Sequence, residues 1–241
     1  MEPHLDQPAE VDVAEFDRFG ESYDSELQRV VAWAGQDADV YAGVKADALL
    51  ELARRYLGDF SKLRFLDVGC GPGSTDRHLV ERVAALHGVD ISHPMIERAR
   101  ATNPGVRYET YDGARLPFED EAVDVSFAFC VAHHVPPPSW PSFFGELARV
   151  TRRGGLVVIA EHNPYNPVTR AVVNRCAFDT DAVLLTQRTT RRRLTESGLQ
   201  HLETRNILFA PWRTKLVDRL EAALRRIPLG AQYLSVGRRV E

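Results

Sequence analysis

The sequence predicts an α/β protein built on a doubly wound, mostly parallel sheet with helices packed on both faces. Three observations carry that prediction. Short apolar strands alternate with amphipathic helices from Leu63 to Asn163, the order expected of a parallel sheet wrapped by helices. The stretch GLVVIAEHN (155–163) is almost wholly apolar, as a strand covered on both faces must be. And LRFLDVGC (63–70) runs straight into Gly69, Gly71 and Gly73, a tight closure directly after a buried strand.

The elements follow in order. Beyond a polar tail to about residue 12, Val13, Phe16, Phe19, Tyr23 and Leu27 recur at helical spacing, and residues 1–58 read as an N-terminal helical cover. Strand one, LRFLDVGC, leads into a predicted helix through STDRHLVERVAAL (74–86). Strand two, LHGVDIS, is followed by a helix in SHPMIERARAT that Ser92 or His93 begins. VRYETYDG and AVDVSFAFCVAHHV form strands three and four. WPSFFGELARVTRRGG then places Phe143, Phe144, Leu147 and Val150 on one helical face and ends in two glycines, a helix stop. After strand five comes an insertion at about 162–190 with NPYNP and one helix; a second, arginine-rich helix (RTTRRRL) closes it. Two last strands, LQHLETRNILFAP and AQYLSVGRRV, flank a helix in KLVDRLEAALRRI, so residues 59–241 read as the main domain.

Composition narrows the class. With 241 residues, 44% hydrophobic and 27% charged, the chain is ordinary for a globular protein. A net charge of −4 leaves no basic excess for nucleic acid. Cys70, Cys130 and Cys176 form no C-x-x-C pair, which argues against a disulfide framework or structural zinc. The start lacks a signal peptide's apolar core, and no apolar run approaches the ~18 residues of a membrane span. A cytoplasmic location is expected.

In doubly wound sheets, ligands sit at the carboxyl ends of the strands, where glycines let backbone amides come close. Asp90 ends strand two, 23 residues beyond Asp67, near the offset at which an acid holds a ribose hydroxyl pair. A nucleoside-bearing cofactor is therefore expected. A dinucleotide is disfavoured, because G-x-G-x-x-G needs glycine where Ser74 stands and Pro72 removes an amide.

The motifs DVGCGPG, VDIS, YDGARLPF, AVDVSFAFCVAHHV and LARVTRRGGLVVIAE together resemble the class I S-adenosylmethionine-dependent methyltransferases over roughly residues 60–165. Most similar is the small-molecule branch that includes ubiquinone-biosynthesis and sugar O-methyltransferases. The resemblance implies a Rossmann-like, seven-stranded sheet with an antiparallel last strand, and S-adenosyl-L-methionine as cofactor. It further implies that Asp67, Gly69 and Gly71, with Cys70 as inert packing, surround the cofactor's methionine part. Asp90 would take the ribose hydroxyls, Ile91 would pack on adenine, and Asp112 with Gly113 would meet the adenine amino group. Phe129 and Cys130 would line the floor, and Tyr23 would fold over the cofactor.

Methyl transfer to a hydroxyl gains from a base beside the acceptor. His134, and then His133, are the candidates at the mouth of strand four, because an imidazole titrates near working pH. No metal site is expected, since the adjacent histidines have no ligand partner at i+4. His162 is a candidate for acceptor binding as readily as for a base. Asn163, Tyr165, Asn166, Arg170 and Arg175 offer polar groups to an acceptor in the insertion, read as the acceptor's cover. HNPYNPVTR and IPLGAQY resemble a bacterial subgroup associated with polysaccharide and glycolipid assembly. RTTRRRL reads better as a solvated face than as an anion site. The expected partner is a small-molecule methyl acceptor, first a sugar or glycolipid hydroxyl, then a secondary-metabolite ring. Rival readings are nitrogen or carbon methylation, and a catalytically silent cofactor-binding regulator.

Overall fold

The computed structural model describes residues 38–209 and 223–240, together with Asp17, Ser25, Glu26, Gln28, Arg29 and Ala32. Tyr23 and most of the two predicted terminal helices lie outside the described residues. Seven strands form one sheet in the order β3-β2-β1-β4-β5-β7-β6. They are β1 Arg64–Val68, β2 Ala85–Asp90, β3 Arg107–Thr110, β4 Val123–Phe129, β5 Thr151–His162, β6 Leu199–Ile207 and β7 Gln232–Arg239. The first five run parallel, and β7 lies antiparallel between β5 and β6. This is the doubly wound arrangement expected. The strand order reverses between β1 and β4, and there the carboxyl ends splay into a crevice.

Side-chain alternation sorts the core into two layers. Phe65, Val125, Phe127, Leu156 and Val158 face one layer with Leu49 and Leu50 of α1 (Ala38–Leu57) and Ile96 of α2 (His93–Thr102). Leu66, Val157 and Ile159 face the other, against Phe144 and Leu147 of α3 (Trp140–Val150). The insertion holds α4 (Pro167–Val173), begun by Asn166, whose side chain accepts from the amides of Val168 and Thr169. A 3-10 turn at Ala177–Asp179 follows, and then α5 (Gln187–Glu196), which also packs on the second layer through Leu194. Arg192 and Arg193 of the arginine run pair with Glu196, and the Arg193 guanidinium lies over the Trp140 ring.

Two expectations are corrected. The helix predicted through 74–86 is only a three-residue 3-10 turn, Asp76–His78, followed by irregular turns. Its amides mix three- and four-residue bonding: Arg77 reaches Gly73, but His78 reaches Thr75 and Arg82 reaches Leu79. The Asp76 carboxylate, fully buried, is held from beneath by the Tyr108 hydroxyl at 2.8 Å, which draws the turn onto the sheet. Second, α3 ends at Val150, ahead of the two glycines. Thr151 already pairs with Val123, so TRRGG is extended strand rather than a helix stop.

Candidate active site

β1 carries Asp67 to the crevice, 3% exposed, and the chain then turns through Gly69. The amides of Gly69 and Cys70 both donate to the carbonyl of Val89, pinning the loop to the end of β2. Gly69 has φ +77°, and a Cβ there would stand 2.5 Å from a Val131 methyl, so this glycine is required by the protein's own packing. Gly71 differs. At φ +52° its missing Cβ would meet nothing within 4 Å, because it faces the open crevice.

Asp90 ends β2 with both carboxylate oxygens in use. One accepts from the Gly71 amide at 2.8 Å, the other from the Ser92 amide at 2.9 Å. The acid that ends one strand thereby shapes the loop that ends its neighbour. Burial pushes its pKa up, against the pull of those amides. The Ser92 hydroxyl in turn donates to Asp17 Oδ1 at 2.8 Å.

Asp67 and Asp76 face each other in burial. Desolvation, with the charge of Asp76 next, raises Asp67 well above the carboxylate range, and burial pushes Asp76 up to about 6. Asp67 Oδ1 has no hydrogen-bond partner among the described residues.

The opposite wall is set by the turn after β4. Cys130 sits at φ +59°, a conformation that costs a residue with a Cβ and recurs at functional sites. Its thiol receives the Gln232 side chain at 3.3 Å. The turn delivers His133 and His134 to the cleft, with ring centroids 4.0 Å apart. Glu161 lies two residues beyond Ile159, on the same face of β5, and is fully buried; it accepts from the Ala132 amide at 2.8 Å and binds His133 Nδ1 at 2.5 Å. From the insertion, Asp179 approaches His133 Nε2 and His134 Nε2, each at 3.4 Å.

The charges of these groups follow from the geometry. Burial alone would depress His133, but Glu161 and Asp179 override it and hold its pKa well above the usual range. Burial, then the neighbouring His133 charge, drives His134 well below. Burial resists ionisation of Asp179, yet the surrounding imidazoles hold it down at about 2. His162, beside them, is pushed by burial to about 4.

One cleft of about 230 Å³ joins the two walls. Of the residues singled out from sequence, it brings together Asp67, Gly69, Cys70, Gly71, Asp90, Ile91, Gly113, Phe129, Cys130, His133 and His134, with His162. Asp112 is not among them. It is exposed, and its Oδ1 accepts from the amides of Ala114 and Arg115 in its own loop. Tyr23 lies outside the described residues. Sequence reasoning missed Glu161, Asp179, Gln232 and Lys45, whose ammonium group lines the cleft 4.0 Å from the Cys130 sulfur. A lone carboxylate closing an apolar strand was an available signal for Glu161. Asp179, 46 residues beyond His133, had none.

Comparison with known proteins agrees with this geometry. The sequence pattern of a methyltransferase domain family matches residues 66–159. An uncharacterised methyltransferase of Mycobacterium sp. (strain JLS) is 40% identical over 95 residues, 39% of this chain and 37% of that protein. The phosphatidylethanolamine N-methyltransferase of Cereibacter sphaeroides is 37% identical over 105 residues, 41% of this chain and 50% of that protein. The chain thus matches half or less of the length of these curated relatives. Among solved structures, a SAM-dependent methyltransferase of Thermotoga maritima, described as a possible histamine N-methyltransferase, superposes with a TM-score of 0.67 at 17% identity. It covers 94% of this chain and 98% of its own, a likeness of fold.

Proposed function

Since this chain carries a class I S-adenosylmethionine-dependent methyltransferase domain, we propose that it moves a methyl group to a hydroxyl of a small molecule. A sugar, polyol or glycolipid hydroxyl is the first expectation, a ring hydroxyl the second. The observation that carries this reading is the single cleft joining the glycine–Asp90 wall to the histidine–carboxylate wall.

The donor half fits the cofactor. The orphaned, buried Asp67 Oδ1 offers an acceptor to an ammonium group, whose charge would favour the ionised carboxylate, and the open face of Gly71 admits a ligand against the backbone. Asp90, locked in orientation by two amides, holds ribose hydroxyls; Ile91 and Gly113 flank the base; Phe129 and Cys130 form the floor. Asp112, exposed and engaged by the amides of its own loop, is left out of this assignment. S-adenosylmethionine supplies a methyl already activated on sulfur, so the protein's own task is alignment and proton removal.

On the acceptor side, His134 is kept neutral and is therefore able to take the hydroxyl's proton, a contribution of roughly 10²- to 10⁴-fold. His133, bridged between Glu161 and Asp179, fixes the neighbouring ring and keeps it neutral. The apolar side chains of Val168, Val172 and Phe178 from the insertion line the same cleft and form the acceptor's cover.

Calorimetric titration with S-adenosylmethionine, S-adenosylhomocysteine and NADH, on the wild type and Asp90→Ala, tests the proposal. Binding of the first two, lost on substitution, is expected. Binding of NADH alone would overturn the class.

A further inference from the structure

The geometry points to a divalent transition-metal site formed by His133 Nε2, His134 Nε2 and Asp179 Oδ1 on the acceptor side of the cleft. Each of these three residues offers a ligand atom, and the three atoms lie within 4.8 Å of one another. Both imidazole nitrogens stand 3.4 Å from the same carboxylate oxygen. Donors about 2.1 Å from one tetrahedral ion stand about 3.4 Å apart, so the spacing suits a shared ion. It is long for hydrogen bonds, and Asp179 Oδ1 makes none among the described residues, although Asp179 is only 7% exposed. A buried carboxylate oxygen aimed between two imidazoles, at long ion-pair distance from each, leaves a place for a cation.

The surroundings support the same assignment. A metal-ligating imidazole usually gives its other nitrogen to a carboxylate, which fixes the ring and its tautomer. His133 does this: its Nδ1 is bound to Glu161 at 2.5 Å, and Glu161 is itself anchored by the Ala132 amide. Two imidazoles and one carboxylate, with remaining positions open to the cleft, form the donor set that suits zinc, manganese or ferrous iron. The donors come from the turn after β4 and from the insertion, so the ion would also fasten the acceptor cover to the sheet.

This inference deepens the methyl-transfer reading and rests on that reading only for its use. An acceptor oxygen in an open position on the ion would become more acidic, so that its proton could pass to solvent water as the methyl group is transferred. With the ion seated, His134 Nε2 is a ligand; the base role assigned above belongs to the ion-free protein.

The test is direct metal binding by the full chain, with Zn²⁺ and Mn²⁺ as separate probes. Retained metal is read by elemental analysis after gel filtration, and affinity by calorimetry. One equivalent of either ion retained by the wild type, and lost in both Asp179→Ala and His134→Ala, is the expected result. Glu161→Gln, which keeps the shape of the side chain, should weaken binding by roughly 10- to 100-fold. Failure of folded wild type to retain either ion, or retention that survives either alanine substitution, overturns the site. S-adenosylhomocysteine affinity, measured on the same samples, reports folding and the cofactor half independently, so the two readings fail separately.

Discussion

Gly69 and Gly71 lie two residues apart in one loop, yet alanine should do different things to them. Both have positive φ, +77° and +52°. A side chain in the left-handed region costs about 1–2 kcal/mol at either position. At Gly69 the added methyl would also stand 2.5 and 2.7 Å from the two Val131 methyls. Overpacking of that kind adds about 1–3 kcal/mol. Gly69→Ala should therefore cost roughly 2–5 kcal/mol, against about 1–2 for Gly71→Ala. Urea unfolding of the two variants reads this difference, provided the slope of the transition is unchanged. Val131→Ala placed in Gly69→Ala should recover the overpacking part and leave the backbone part, a coupling that a double-mutant cycle isolates. Ligand binding should show the opposite ranking. At Gly71 the methyl projects into the crevice, so affinity for S-adenosylhomocysteine should fall at least about tenfold, or about 1.4 kcal/mol. Equal destabilisation by the two substitutions, or no recovery with Val131→Ala, would refute the claim that packing demands one glycine and ligand access the other.

Two further outcomes follow from the buried acids. Tyr108→Phe removes the hydroxyl that donates to Asp76 at 2.8 Å and strands a buried carboxylate, so denaturant unfolding should show a loss of about 1–3 kcal/mol. Asp67 and Asp76 are both raised in the folded state, the latter to about 6. Such groups contribute stability that is present below their unfolded value near 3.8 and is lost as pH rises through the folded value. Asp67→Asn removes the mutual repulsion, so its stability should gain on the wild type as pH climbs past about 6 while cofactor affinity falls. Thermal unfolding from pH 4 to 8 on both proteins checks this, and parallel curves would sink it.

Much of the donor half was legible in the chain because its signals are local. Glycines at alternate positions after an apolar strand mark a tight turn, and Gly71 leaves that turn open to a ligand. An acid ending the next strand falls at the same edge, since parallel strands bring their carboxyl ends together. The parallel part of the sheet followed from the alternation of strand and helix, while its seven strands and antiparallel member were implied by the family resemblance. The missing helix after Gly73 was not legible. Its residues have helical spacing, but Tyr108 holds Asp76 from a strand some 30 residues away, and that tertiary bond outweighs local propensity.

The acceptor half was decided by the tertiary structure. His133 and His134 stood out by type, yet their charge states depend on Glu161 and Asp179, whose separations in sequence carry no period or motif. Burial multiplies the effect of each charge on its neighbours, so the pKa of one imidazole is driven up while that of the adjacent one is driven down. The sequence by itself determined the alternation of strand and helix and the glycine-lined donor edge, which depend on neighbours along the chain. Which nitrogen faces which carboxylate, and so what that wall can bind, depends on atoms a few ångströms apart that only folding brings together.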